Sequence, residues 1–216
     1  MKRAGSAGHG AEDAALRVGR YPYRGAGIGE DDYAKLDVEP ADLARGGTVL
    51  RLGFVYGEHD PQRREEFVLR GVRAGRTRIP VGAGTLLMTR LYVHDAASAV
   101  LAALGNPAAA GEVFNIGEAR SRTVHGWATQ ILAAAGGDAE LVRAPDPSLP
   151  ADLRITSAVA QHMLASSAKA AAVLGWSAGD PAAAVARSVQ WHLAHPPEET
   201  EESFEADDIA LAAAAG

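Results

Sequence analysis

Two stretches constrain this chain more than any others: TVLRLGFVYG (48–57) and GEVFNIG (111–117). Each is rich in β-branched and aromatic residues and runs into a glycine. The first is apolar enough to need cover on both faces, which puts it in the middle of a sheet. Helical stretches lie between and around the two. A run that Asp31 or Asp32 can cap carries Tyr33, Leu36, Val38 and Leu43 and stops at Gly46-Gly47. PQRREEFVLRGVRAG (61–75) reads as a helix opened by Pro61. Further helices are predicted from Asp95, as its cap, to about Leu104, and from Thr123 to about Ala135. Two more cover 166–174 and 180–194, the second ended by Pro196-Pro197. Short strands fit 77–81, 87–93 and 139–144. The alternation predicts an α/β layered fold with a parallel sheet.

Composition excludes several function classes. A net charge of −6 with no basic stripe argues against a nucleic-acid binder. The chain has no cysteine, hence no disulfide framework, thiolate metal site or cysteine nucleophile. No stretch approaches ~20 continuous apolar residues, so no membrane span is expected and a cytoplasmic location is the default. Residues 1–30 are Gly-, Ala- and Arg-rich and read as an irregular segment. Residues 196–216, acidic then alanine-rich, read as a solvated or frayed tail from which Phe204, Ile209 and Leu211 could dock on a partner.

Five segments follow one another in a telling order: DDYAKLDVE (31–39), VLRLGFVYG (49–57), YVHDAASAV (92–100), GEVFNIGE (111–118) and SSAKAAAVLGW (166–176). The order resembles the extended short-chain dehydrogenase/reductase family, and within it the NAD-dependent epimerase/dehydratase group, over about residues 31–195. The resemblance implies an incomplete Rossmann-like parallel sheet with a small C-terminal substrate lobe. It also implies NAD or NADP as cofactor and a small-molecule substrate such as a nucleotide sugar. A homodimer is the partner expectation, with no nucleic acid and no membrane.

The family's cofactor loop needs a buried strand just before its glycines, so that backbone N–H groups and a helix N-terminus face the pyrophosphate. Gly5, Gly8 and Gly10 follow only Met1, Lys2, Arg3 and Ala4. Gly25, Gly27 and Gly29 follow RYPYR and precede Glu30, Asp31 and Asp32. Neither stretch meets the requirement. The expectation is a C-terminal portion, from a fragment or a misplaced start, that by itself binds NAD or NADP weakly or not at all.

Family chemistry uses a tyrosine four residues before a lysine, which places both on one helix face. Here Lys35 is preceded at that spacing by Asp31, and Tyr33 stands about 200° around the helix from it. By resemblance Lys35 and Tyr33 are the catalytic candidates, with Lys35 holding the nicotinamide ribose. Tyr33 reads more readily as a core aromatic, and Asp31–Lys35 could be a plain helix ion pair. Tyr21, Tyr23 and His59 are alternative acid/base candidates. Phe54 and Val55 are the further cofactor contacts; the family usually carries Asn at the first and Pro where Glu58 stands. Arg51, Tyr56, His59 and Arg90 are the substrate contacts. Arg51 could instead be an interlayer ion pair, and His59 an exposed loop histidine on a strand's C-terminal end. Arg90 resembles a substrate-phosphate arginine that many members hold where Met88 stands. Asn115 and Gly117 read as architectural. His192 and His195 lack an evident third ligand, so no metal is expected.

Overall fold

Gly53 divides the first strand stretch in two. Before it, β1 (Val49–Leu52) pairs in parallel with Val113–Ile116; after it, β2 (Phe54–Tyr56) pairs in parallel with Arg90–Tyr92. The glycine N–H donates to the Ile116 carbonyl at 2.8 Å, and the next N–H, of Phe54, donates to the Thr89 carbonyl at 2.9 Å. A Cβ at Gly53 would stand 2.9 Å from that Thr89 oxygen, so only glycine lets the chain change partners here. The two predicted central strands therefore do share one parallel ladder, in the register Val49↔Val113.

The computed structural model describes residues 35–82, 84–149, 162–198 and 203–215. In chain order α1 (Lys35–Leu43) precedes β1 and β2, and α2 (Glu66–Arg73), β3 (Arg78–Val81), β4 (Leu87–Met88) and β5 (Arg90–Tyr92) follow. Next come α3 (Val93–Leu104), β6 (Val113–Ile116), β7 (Arg122–Thr123), α4 (Val124–Ala134) and β8 (Glu140–Arg143). The order closes with α5 (Ala168–Leu174), α6 (Pro181–Ala194) and α7 (Glu205–Ala213). β3 pairs in parallel with β8, and β4 antiparallel with β7. This is the α/β, Rossmann-like arrangement of small parallel ladders. Residues 1–34, with both glycine-rich stretches and Tyr21, Tyr23 and Tyr33, lie outside the described residues.

Strand alternation sorts side chains into two cores. Tyr56 and Tyr92 point to one face, where Val68, Leu69, Ile79, Trp127, Ile131, Val185 and Val189 close around them from α2, β3, α4 and α6. Val55, Leu91, Phe114 and Ile116 point to the other, against Ala96 and Ala99 of α3, Ala170 of α5 and Trp176.

Three expectations are corrected. The helix expected over 61–75 starts only at Glu66, because His59 (φ 63°) and Arg63 (φ 43°) adopt left-handed conformations that no α-helix contains. Asp95 is not a cap: α3 begins at Val93, and the Asp95 carboxylate accepts from the Gly179 N–H at 3.2 Å. The tail does not end as a frayed extension. Its helix α7 buries Asp207, Ala210 and Leu211 against the body, Asp207 pairs with Arg70 at 2.7 Å, Asp208 pairs with Arg76, and both arginines lie over Phe204. Sequence reading missed this because the partners sit about 130 residues away. Asp207→Asn is expected to cost about 2 kcal/mol, the scale of one charge-assisted hydrogen bond, seen as a lower urea midpoint at unchanged slope. Thr123 does cap α4, its hydroxyl accepting from the Gly126 N–H at 3.0 Å.

Candidate functional site

A cleft of about 300 Å³ opens between the start of β2, the turn before α2, and α4. Its walls include Phe54, Arg64, Phe67, Met88, Arg90 and Trp127. The cleft is built from aromatic rings and guanidinium groups lying on them. The Arg90 guanidinium stands 4.4 Å from the Trp127 ring centroid, and that of Arg64 stands 4.6 Å from the centroid of Phe54.

Arg90 is only 2% exposed. Strand β5 carries it inward, where one terminal nitrogen donates to the carbonyls of Arg122 (3.1 Å) and Met88 (3.4 Å). Burial pulls its pKa down to about 10, opposed by the nearby Glu118 carboxyl, so the group stays charged at neutral pH. Its Nε has no acceptor, and neither has the Nε of Arg64 or the indole Nε1 of Trp127. Arg64 is otherwise held by Asp60, both carboxylate oxygens 2.8 Å from one guanidinium nitrogen. Three buried donors without acceptors thus belong to residues that line one cleft, an unusual cost in a folded chain.

The other expected site residues stand elsewhere. Tyr56 is 1% exposed and donates to Glu118 at 2.8 Å; burial first, then the Glu118 charge, push its pKa up. It supports the cleft from behind, its ring 5.8 Å from that of Trp127. Arg51 reaches across to α1, where Nε donates to Glu39 at 3.1 Å and a second nitrogen completes the ion pair. His59 is exposed and packs on Trp191 with ring centroids 4.6 Å apart. Val55 faces the second core. Lys35 opens α1. Of the candidates, Phe54 and Arg90 are brought together; Arg51, Tyr56, Val55 and His59 are not among the cleft's walls.

Arg64 and Trp127 were missed. Arg64 was hidden inside a stretch read as helix, although Asp60-Pro61 after a strand end is a turn signal at the position where α/β folds bind ligands. Trp127 sits within a helix stretch, and nothing local marks which face it takes.

The model of the NAD dependent epimerase/dehydratase family matches residues 41–117. That stretch belongs to this family. It holds β1 to β6, and with them Phe54, Arg64 and Arg90. The chain is 33% identical over 154 residues to a chloroplast stem-loop binding protein of 41 kDa from Arabidopsis thaliana, a match covering 66% of this chain and 39% of that one. A UDP-glucose 4-epimerase from Thermotoga maritima, solved with UDP-glucose, matches with a TM-score of 0.56 and 25% identity over 76% of this chain and 53% of its own. A UDP-glucuronic acid 4-epimerase from Bacillus cereus, solved with UDP-glucuronic acid and NAD, gives a TM-score of 0.57 at 17% identity, covering 79% and 57%. RMD from Pseudomonas aeruginosa, complexed with NADPH, gives 0.55 at 19%, covering 75% and 57%. The chain spans about two fifths of the curated relative and somewhat over half of these structures. The structural likenesses bear on the fold.

Among the described residues the fit to a dinucleotide is partial. Phe54, 38% exposed, presents a ring at the cleft's edge, whereas Val55 turns inward. Close approaches at Gly53 and Gly117 are filled by Thr89 and form no phosphate cradle. No group of three or more metal-ligating side chains occurs among the described residues, and no helix among them is long and apolar enough to cross a membrane.

Proposed function

We propose that this cleft takes the nucleoside diphosphate of a nucleotide sugar, and that the protein acts in NAD- or NADP-dependent epimerase, dehydratase or reductase chemistry. One observation carries the reading: Arg64, Arg90 and Trp127, which line one cleft, each hold a buried N–H donor without an acceptor. Diphosphate oxygens supply the missing acceptors, and guanidinium geometry suits them. Rings at Phe54, Phe67 and Trp127 offer the apolar surface a base or sugar face needs. The UDP-sugars with which the two epimerases were solved support the same class. NAD or NADP is the cofactor that the resemblance and the NAD- and NADPH-bound neighbours support. When bound it would supply hydride transfer; the partial fit gives no step to derive through it. Calorimetric titration with UDP tests the reading: saturable binding stronger than that of inorganic phosphate is expected, and equal binding of the two overturns it.

Lys35 and Tyr33 remain the proposed catalytic pair by resemblance. Turnover of a UDP-sugar is expected to fall about 100-fold or more in Lys35→Ala, the scale of losing an acid–base contribution. Tyr33→Phe should fall much less, because a regular helix sets its hydroxyl away from the lysine. Equal losses in the two would require a bulge that restores the pair. A second reading, a family relative that binds a ligand without catalysis, is favoured by Asp31 in the tyrosine's place and by the binding protein at 33% identity. Its mark is UDP affinity without turnover.

A further inference from the structure

The turn from Gly57 to Glu65, which carries Arg63 and Arg64, is backbone-strained. Gly57 (φ 137°), His59 (φ 63°) and Arg63 (φ 43°) all lie in the left-handed half of conformational space. Such a turn persists only when its surroundings over-determine it; Tyr92 donates to Glu58 at 2.6 Å from β5, and helix α6 supplies a further set of contacts. Arg63 donates to the His195 carbonyl at 2.8 Å at the C-terminal end of α6. His192 Nε2 stands 3.1 Å from the Gly57 carbonyl, and the Ser188 hydroxyl donates to Glu65 Oε1. Glu65 Oε2 lies 3.5 Å from His192 Nε2. Glu65, Ser188 and His192 are each at most 1% exposed, and Glu65 Oε2 and His192 Nδ1 have no hydrogen-bond partner.

We propose that Glu65, Ser188 and His192 are positioning residues, a buried latch between the start of α2 and α6 whose one titrating proton, on Glu65, sets how firmly the arginine-bearing turn is held. The functional consequence rests on the cleft reading above; the latch itself does not. The Gly57 carbonyl needs a proton on His192 Nε2. Charging the ring would add an N–H at Nδ1 with no acceptor, so the neutral ring fits the site. Burial, then the Arg63 charge, hold the His192 pKa below its ordinary value. Burial pushes the Glu65 carboxyl up to about 7, with Ser188 and Arg64 opposing and Asp60 assisting. The charged or titratable groups facing the pair are Asp60, Arg63 and Arg64 on the turn, Glu66 on α2 and Tyr56 on β2. Both members are neutral between the lowered histidine value and about 7.

The sign follows. A Glu65 exposed by opening of the turn titrates near 4.5, so the closed turn holds a proton that the open one lacks between about 4.5 and 7. The carboxyl's support for the closed turn is therefore lost as pH rises through that window and is level above it. His192 acts oppositely below about 6.5, so the Glu65 effect is read against a variant that cannot titrate. Hydrogen exchange of the ligand-free chain, corrected for intrinsic rates, is the measurement. Protection of 57–65 in the wild type relative to Glu65→Gln is expected to fall by at least about tenfold between pH 5 and 7, one pKa unit's worth, and to stay level above 7.5. Ser188→Ala removes the bond that favours the carboxylate, so there the plateau should begin at higher pH, a shift that mere packing would not give. A wild-type profile parallel to Glu65→Gln overturns the latch, as does a Ser188→Ala plateau that does not move. Should Glu65→Gln fail to fold, the Ser188→Ala shift decides. UDP titration of the same proteins keeps the two proposals apart: a pH step in exchange without UDP binding sinks the cleft reading and leaves the latch standing.

Discussion

Arg90→Met is expected to weaken UDP binding about 10- to 100-fold while leaving the fold in place. Methionine keeps the length of the side chain and its contact with the Trp127 ring, which the guanidinium approaches to 4.4 Å, but it removes the charge and every donor. A hydrogen bond to a charged group is worth about 1.5–3 kcal/mol, and each 1.4 kcal/mol is about tenfold in affinity. Stability should change little, because a 2% exposed guanidinium with one acceptor-free nitrogen is not a source of net stability. Calorimetry at fixed salt alongside urea unfolding separates the two effects. Unchanged UDP affinity would remove Arg90 from the site, and a large loss of stability would make it a structural cation instead.

The sequence was most legible where local chemistry decides. A β-branched run meeting glycine at Gly57 and a second ending at Gly117 gave the central parallel ladder, because burial on both faces leaves few other places for them. Thr123 was legible as a cap because capping needs only the next three residues. The turn at 59–65 was not. Pro61 favours a helix start, yet Asp60 instead accepts from the Gln62 and Arg64 backbone N–H groups and holds the Arg64 side chain, which builds a turn. Arg90 was a candidate only through the family resemblance of the stretch that runs into YVHD (92–95). Trp127 could not be found, since its meaning comes from Tyr56, Phe67 and Arg90, which are more than 30 residues away in sequence. The helix α7 was illegible for the same reason: an acidic, alanine-rich segment looks solvated until Arg70 and Arg76 are placed opposite it.

Trp127→Ala should have the largest effect on stability of any single change around the cleft, about 3–5 kcal/mol. The indole is 5% exposed, lies 5.8 Å from the Tyr56 ring and 5.9 Å from that of Phe67, and carries Arg90 on its remaining face. Removing it leaves a void where α2, α4 and β2 meet and takes away the ring beneath a buried cation. For a domain of this size each kcal/mol corresponds to about 2–4 °C, so Tm should fall by roughly 6–20 °C. Trp127→Phe separates packing from recognition. It keeps an aromatic floor under Arg90, costs less stability than Trp127→Ala, and deletes an indole N–H that has no partner in the ligand-free chain. If that N–H serves the ligand, Trp127→Phe lowers UDP affinity by about tenfold, the worth of one good hydrogen bond. If UDP binds Trp127→Phe as well as it binds the wild type, the indole is a packing residue and the acceptor-free donor has another cause. The two variants together then decide whether the cleft's aromatic wall recognises a ligand or only supports the arginines that do.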